Sequence, residues 1–152
     1  VQVWREQLRR GEPLILTDPA MTRFLLTLPQ AAAFCLEALD AMQGGEIRIP
    51  ILPAATVGDL ADAVAGPRYP KEIVGLRPGG EKKHEALLSR EEPPRSYQVG
   101  EYITIIPSHH SWRASWERPY NATPVPEAYT SDAPARWLTV PELVTMLKEV
   151  PG

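Results

Sequence analysis

Cysteine is nearly missing from this chain: Cys35 is the only one in 152 residues. That excludes an internal disulfide and any zinc site built on several thiolates, and the expectation for Cys35 is a buried structural thiol. No stretch approaches the ~18–20 consecutive apolar residues that cross a bilayer. The first residues also lack the basic-then-apolar order of a secretory signal, so a cytoplasmic chain with no membrane partner is expected. Long runs of Lys or Arg are absent, and 16 basic against 19 acidic residues give a formal charge of −3. Such a chain has no positive stripe of the kind a phosphate backbone attracts, and nucleic acid is not an expected partner. Chemistry is bounded by absences too. There is no Gly-x-Gly-x-x-Gly loop, no Tyr-x-x-x-Lys pair, and no Ser or Cys nucleophile with a base at a recognisable spacing. His84, His109 and His110 do not stand four apart on a helix as a metal pair would, so neither a metal site nor a reaction centre is expected.

What is present suits a soluble domain. Apolar residues make up 43% and charged residues 23% of the chain, ordinary values for a protein that buries a core. The length fits one core rather than two. Proline is abundant, at 17 residues, and shortens regular elements because each one removes a backbone donor. The chain begins at Val1, inside an amphipathic pattern, and is expected to be a piece of something longer.

Val3, Trp4 and Leu8 lie near one face of a helix over residues 1–10, stopped by Gly11 behind Arg9 and Arg10. The run from Pro13 to Thr17 predicts a short strand. Thr27, three residues before Gln30, has the spacing of a capping box, and Leu28, Ala32, Cys35, Leu39 and Met42 follow at helical intervals as a core-facing stripe. Alternation over 46–49 predicts a strand with Ile47 and Ile49 facing the core. Thr56 and Asp59 cap a helix over 57–65. A strand at 71–76, a turn at Pro78–Gly79–Gly80 and a helix over 81–89 are expected next, then a strand at 102–106. Residues 107–136 read as an irregular arm anchored by aromatics, and Thr139 with Glu142 caps a last helix bearing Val140, Leu143, Val144 and Leu147. The division expected is 1–106 for a binding subdomain and 107–152 for the arm and terminal helix packed on it.

Two arginines carry the chemistry. Arg77, at a strand end before a glycine turn, can present a planar fork to a diphosphate, and Glu81 can accept hydroxyl protons from a ribose. An ordinary surface turn is the alternative. Arg23 sits between apolar neighbours and needs an anion, either a substrate phosphate or a carboxylate of this chain such as Asp18.

Taken together, Thr17–Asp18–Pro19–Ala20–Met21–Thr22–Arg23–Phe24, Gly44–Gly45–Glu46–Ile47, Val74–Gly75–Leu76–Arg77–Pro78–Gly79, His84–Glu85, Tyr129–Thr130–Ser131–Asp132 and Trp137–Leu138–Thr139–Val140 resemble a family. They are similar to the C-terminal half of the inverting UDP-N-acetylglucosamine 4,6-dehydratases, the polysaccharide-biosynthesis members of the extended short-chain dehydrogenases. The resemblance implies an α/β fold: the substrate-binding portion of a Rossmann-type enzyme whose NADP-binding and catalytic half is not in this chain. It implies that Arg77 and Arg23 meet the diphosphate of a UDP-sugar, Glu81 the ribose, and backbone around Leu14, Ile15, Leu16 and Thr17 the uracil edge. Arg136 and Trp137 close over the substrate or an adjoining surface. A second glycine, Gly80, shifts the acid by one residue relative to the family's Arg-Pro-Gly-Glu-Lys. The partners implied are the Rossmann half or full-length subunits, with a homo-oligomer at full length, and the chain alone is expected to be inactive. The same scaffold in a nucleotide-sugar epimerase or reductase, or a non-catalytic binding module, remains open at this point.

Overall fold

A computed structural model describes residues 1–76, 82–109 and 116–149. Arg77, Glu81 and the turn between them, together with Trp112, lie outside the described residues. Helix α1, Gln2–Arg10, ends where Gly11 adopts φ 70°, its N–H returning to Leu8 O at 3.1 Å. Only glycine takes that conformation without a steric penalty. Strand β1, Leu14–Leu16, follows, then β2, Thr22–Phe24. Helix α2, Leu28–Ala41, carries the expected capping box: Thr27 N–H donates to Gln30 Oε1 at 2.9 Å and Gln30 N–H to Thr27 Oγ1 at 3.4 Å. Next come β3, Ile47–Pro50, β4, Ala54–Thr56, and α3, Val57–Ala65, capped by Thr56, whose Oγ1 accepts from Asp59 N–H at 2.9 Å. Strand β5, Lys71–Ile73, is followed by β6, Ala86–Leu88. The chain closes with β7, Ser96–Val99, β8, Tyr102–Ile105, β9, Thr123–Pro124, β10, Tyr129–Thr130, and α4, Val140–Lys148.

The strands form small open sheets, so the fold is mixed α/β. β1 and β5 pair in parallel, Leu14 opposite Lys71, while β2 pairs antiparallel with β4 and β6 with β10. The largest sheet runs β3-β8-β7-β9 and is antiparallel throughout. Three apolar clusters hold these pieces. Leu14, Leu16 and Ala61 join β1 to α3, with Trp4 of α1 against them. Ala55, Leu138 and Leu143 join β4 to α4. Ile49, Ile103, Ile105, Leu88 and Tyr129 join the large sheet to β6 and β10. The arm is thereby tied down at both of its strands, β9 on β7 and β10 on β6.

Several sequence expectations are corrected here. No helix forms over the described residues 82–89; they lead into β6 instead. The backbone groups a helix would use are taken by tertiary partners: Lys83 O accepts from Thr22 N–H at 3.0 Å and Glu85 N–H donates to Ser131 Oγ at 2.8 Å. Side-chain propensity loses to that competition. The stripe on α2 faces outward: Leu28 is 83% exposed and Leu39 78%, and Cys35 is exposed rather than buried. Helical periodicity marks an apolar face without saying what covers it. Val3 and Ile47 are likewise exposed: on α1 it is Trp4 and not Val3 that packs on the core, and the cluster around Ile49 stops short of the start of β3.

Candidate functional site

Strand β1 and its continuation converge with the segment beyond β5. Val74 N–H donates to Leu16 O at 2.9 Å and Gly75 N–H to Thr17 O at 3.0 Å. Val74 and Gly75 are thereby held alongside the carboxyl end of β1, the place where open α/β folds put their ligands. Leu14 and Leu16 point into the core, at 0% and 1% exposure, while Ile15 is 48% exposed. The backbone of this stretch is well occupied: Leu14 N–H donates to Pro70 O, Ile15 O accepts from Trp4 Nε1, and Ile15 N–H donates to Gln7 Oε1. Ile73, Val74 and Leu76 are exposed beside it.

Where the chain returns at Lys82, it meets Arg23 of β2. The guanidinium donates from Nη1 to Thr22 O at 2.7 Å and Lys83 O at 3.2 Å, and from Nη2 to Lys82 O at 3.2 Å. Its Nε stands 3.7 Å from a Glu85 oxygen. The carboxylate that meets Arg23 is thus Glu85; Asp18 pairs with Lys83 at 3.6 Å. Glu85 also accepts from Phe24 N–H at 2.8 Å, so it holds both the backbone and the charge of β2. Arg23 is half-buried, and its guanidinium is held by the residues that follow the 77–81 stretch.

Behind Arg23 lies a hydroxyl cluster that local sequence does not reveal. Thr22 Oγ1 is 2.8 Å from His84 Nδ1 and 2.6 Å from Ser131 Oγ, and Ser131 Oγ also donates to Thr22 O at 3.1 Å. Ser131 N–H donates to Glu85 O at 2.9 Å. Next to it, Tyr129 packs its ring on Phe24, and its hydroxyl donates to Leu52 O at 2.7 Å while accepting from Leu52 N–H at 2.9 Å. Burial pushes the Tyr129 phenol above its ordinary range. The hydrogen bond to Thr130 holds the Asp132 carboxyl low, with a smaller contribution from His84. A serine, an imidazole and an acid in one place suggest nucleophilic catalysis, yet Ser131 is 0% exposed and its hydroxyl has one proton and two lone pairs, all engaged. It is a brace and not a nucleophile. Among the described residues no group of three His, Cys, Asp or Glu could hold a metal ion.

Arg136 and Trp137 lie beside β4, the strand that pairs with the Arg23 strand β2. The 136–138 segment runs beside β4, with Ala54 N–H donating to Arg136 O at 3.0 Å and Leu138 N–H to Ala54 O at 2.8 Å. The Arg136 side chain is paired to Glu142 in a cleft of about 290 Å³ shared with Thr27, Gln30 and Met146. Trp137 is 46% exposed. The structure brings Arg23 together with Lys82 and Lys83, which follow the 77–81 stretch, and sets Arg136 beside β4, ahead of α4. A larger cleft, about 670 Å³, is lined by Arg90, Tyr97, Pro124, Glu127 and Thr130 among others, and none of the candidate site residues is among its described lining.

Comparison with known proteins accounts for this arrangement. The family model described as polysaccharide biosynthesis protein matches residues 1–107. A UDP-N-acetylglucosamine 4,6-dehydratase (inverting) of Campylobacter jejuni subsp. jejuni is 31% identical over 151 residues, covering 93% of this chain and 44% of its own. A UDP-glucose 4-epimerase of Rickettsia canadensis is 32% identical over 108 residues, 69% of this chain and 31% of its own. Among solved structures, Pen from Bacillus thuringiensis superposes with a TM-score of 0.78 at 25% identity, over 97% of this chain and 44% of that one. The chain therefore spans less than half the length of these relatives. Among the described residues no helix is long and apolar enough to cross a membrane.

Proposed function

We propose, since this chain belongs to the polysaccharide biosynthesis protein family, that it is the nucleotide-sugar-binding part of a UDP-N-acetylglucosamine 4,6-dehydratase. The observation that carries this is the convergence at Arg23: the strand with Thr22–Arg23–Phe24, the His84–Glu85 segment and Ser131 meet beside Lys82 and Lys83, which follow the 77–81 stretch. Three stretches that resemble one family are thus assembled around one guanidinium. In this site Arg77 and Arg23 neutralise the diphosphate, Glu81 takes the ribose, and backbone around Leu14 to Thr17 meets the uracil edge. Exposed Ile15 and Leu76 offer apolar surface beside it. Arg136 and Trp137, beside β4, close over the substrate or an adjoining surface.

The resemblance implies NADP. Among the described residues, the positive-φ glycines Gly11 and Gly66 end helices and Gly75 follows β5, and none opens a helix as a dinucleotide cradle requires. We assign the cofactor to the portion of a relative-length protein outside this stretch, and expect this chain alone to bind without turnover in the cytoplasm. That portion, or a full-length subunit, is also the partner we propose for α2, whose Leu28, Leu36 and Leu39 stand exposed. The epimerase relatives, which match two thirds of this chain, favour a second reading in which the same binding portion serves sugar epimerisation; binding residues do not specify the chemistry.

The test is thermal unfolding with and without UDP. A ligand that binds only the native state raises stability by RT ln(1 + [L]/Kd), so UDP is expected to raise the unfolding temperature of the wild-type chain and not that of Arg77→Ala. Equal protection of the variant contradicts the assignment.

A further inference from the structure

We propose that Ser131 is a positioning residue for Arg23: it sets the affinity of the site for a nucleoside diphosphate without touching the ligand. This rests on Arg23 being a diphosphate contact, as in the function proposed above. The oxygens around the Arg23 guanidinium come from Thr22, Lys82, Lys83 and Glu85. Two of those four residues are bound directly by Ser131. Its hydroxyl accepts from Glu85 N–H at 2.8 Å, donates to Thr22 O at 3.1 Å, and lies 2.6 Å from Thr22 Oγ1; its N–H donates to Glu85 O at 2.9 Å. Glu85 is thereby clamped at both its N–H and its C=O by one residue, 46 positions on in the chain. Lys83 O, a third oxygen on the guanidinium, is tied to the same strand by Thr22 N–H.

Ser131 is wholly buried, so no water replaces its hydroxyl without rearrangement. Removing that oxygen leaves Glu85 N–H and the Thr22 hydroxyl without a shared partner and lets the 82–85 segment slide along β2. The guanidinium is planar, and with Nη1, one Nη2 hydrogen and Nε turned to these oxygens, the direction of the remaining Nη2 hydrogen and of the charge it offers a diphosphate is set by them. A shift of the surrounding carbonyls therefore weakens anion binding even though the charge remains.

The experiment is a double-variant cycle on UDP affinity, titrated calorimetrically into the full chain, Ser131→Ala, Arg23→Ala and the pair. Residues that act as one unit are non-additive: Ser131→Ala is expected to weaken UDP binding about tenfold alone and less than about twofold when Arg23 is already Ala. The Arg23 Nε–H resonance should lose its protection from exchange in Ser131→Ala. An equal loss in both backgrounds, or none, overturns the positioning role and leaves Arg23 as a contact. Unchanged affinity in Arg23→Ala, or no binding by the unsubstituted chain, overturns the underlying assignment as well. Should Ser131→Ala not fold, Ser131→Cys keeps the volume with a much weaker donor, and the same cycle is read on it.

Discussion

Around Ser131, three stretches far apart in sequence are locked by hydroxyls, an imidazole and a carboxylate whose bonding directions point at one another. Helix α2 is the reverse: it makes its own cap from Thr27 and Gln30, and none of its residues is buried. The junction is rigid because its parts cannot form without each other. α2 forms from local signals and presents its apolar stripe outward, as a surface awaiting a partner does. The proposed diphosphate contact, Arg23, is mounted on the first kind of region, and the proposed partner covers the second.

The comparison breaks first at the core under the junction. Leu88, fully buried on β6 opposite Tyr129, should cost about 2–5 kcal/mol as Leu88→Ala in urea unfolding; a loss below 1 kcal/mol would mean that β6 is not a supporting strand. Tyr129→Phe leaves both Leu52 backbone groups without their partner, and about 1–3 kcal/mol is expected. In α2, Thr27→Ala should cost about 1 kcal/mol of helix stability, seen as faster amide exchange within α2 while the global transition barely moves. A matching fall in global stability would show α2 to be part of the core. Leu36→Gln and Leu39→Gln should change stability by no more than about 0.5 kcal/mol but reduce self-association in sedimentation.

A pH effect separates α4 from both regions. The Thr139 N–H and hydroxyl, and then Arg136, pull the Glu142 carboxyl down to about 2. A group lowered on folding stabilises the native state above its ordinary value of 4.5, and that contribution is lost as pH falls toward 2. Amide exchange in the first turn of α4 should therefore quicken across this window, and Glu142→Gln should abolish the dependence.

The sequence was informative where one segment suffices. Gly11, Thr27, Thr56 and Glu142 mark helix ends by local chemistry, and the structure places those ends accordingly. It misled over 82–89, where good helix formers are held out of a helix by Arg23, Thr22 and Ser131, partners that propensity does not see. The same distance hid the brace: Thr22 and Ser131 are 109 positions apart. Arg23 could be flagged as a charge needing a counter-charge, yet residue types alone could not choose Glu85 over Asp18. On α2, periodicity found the stripe but not its direction, because what covers an apolar face is a property of the whole assembly.

The most direct measurement compares UDP with uridine, titrated into the wild-type chain and into Arg77→Ala. The account predicts that UDP binds at least tenfold more tightly than uridine to the wild type, about 1.4 kcal/mol, and that the advantage collapses in the variant. Equal affinity for the two ligands in the wild type, or an advantage that survives the loss of Arg77, would contradict it.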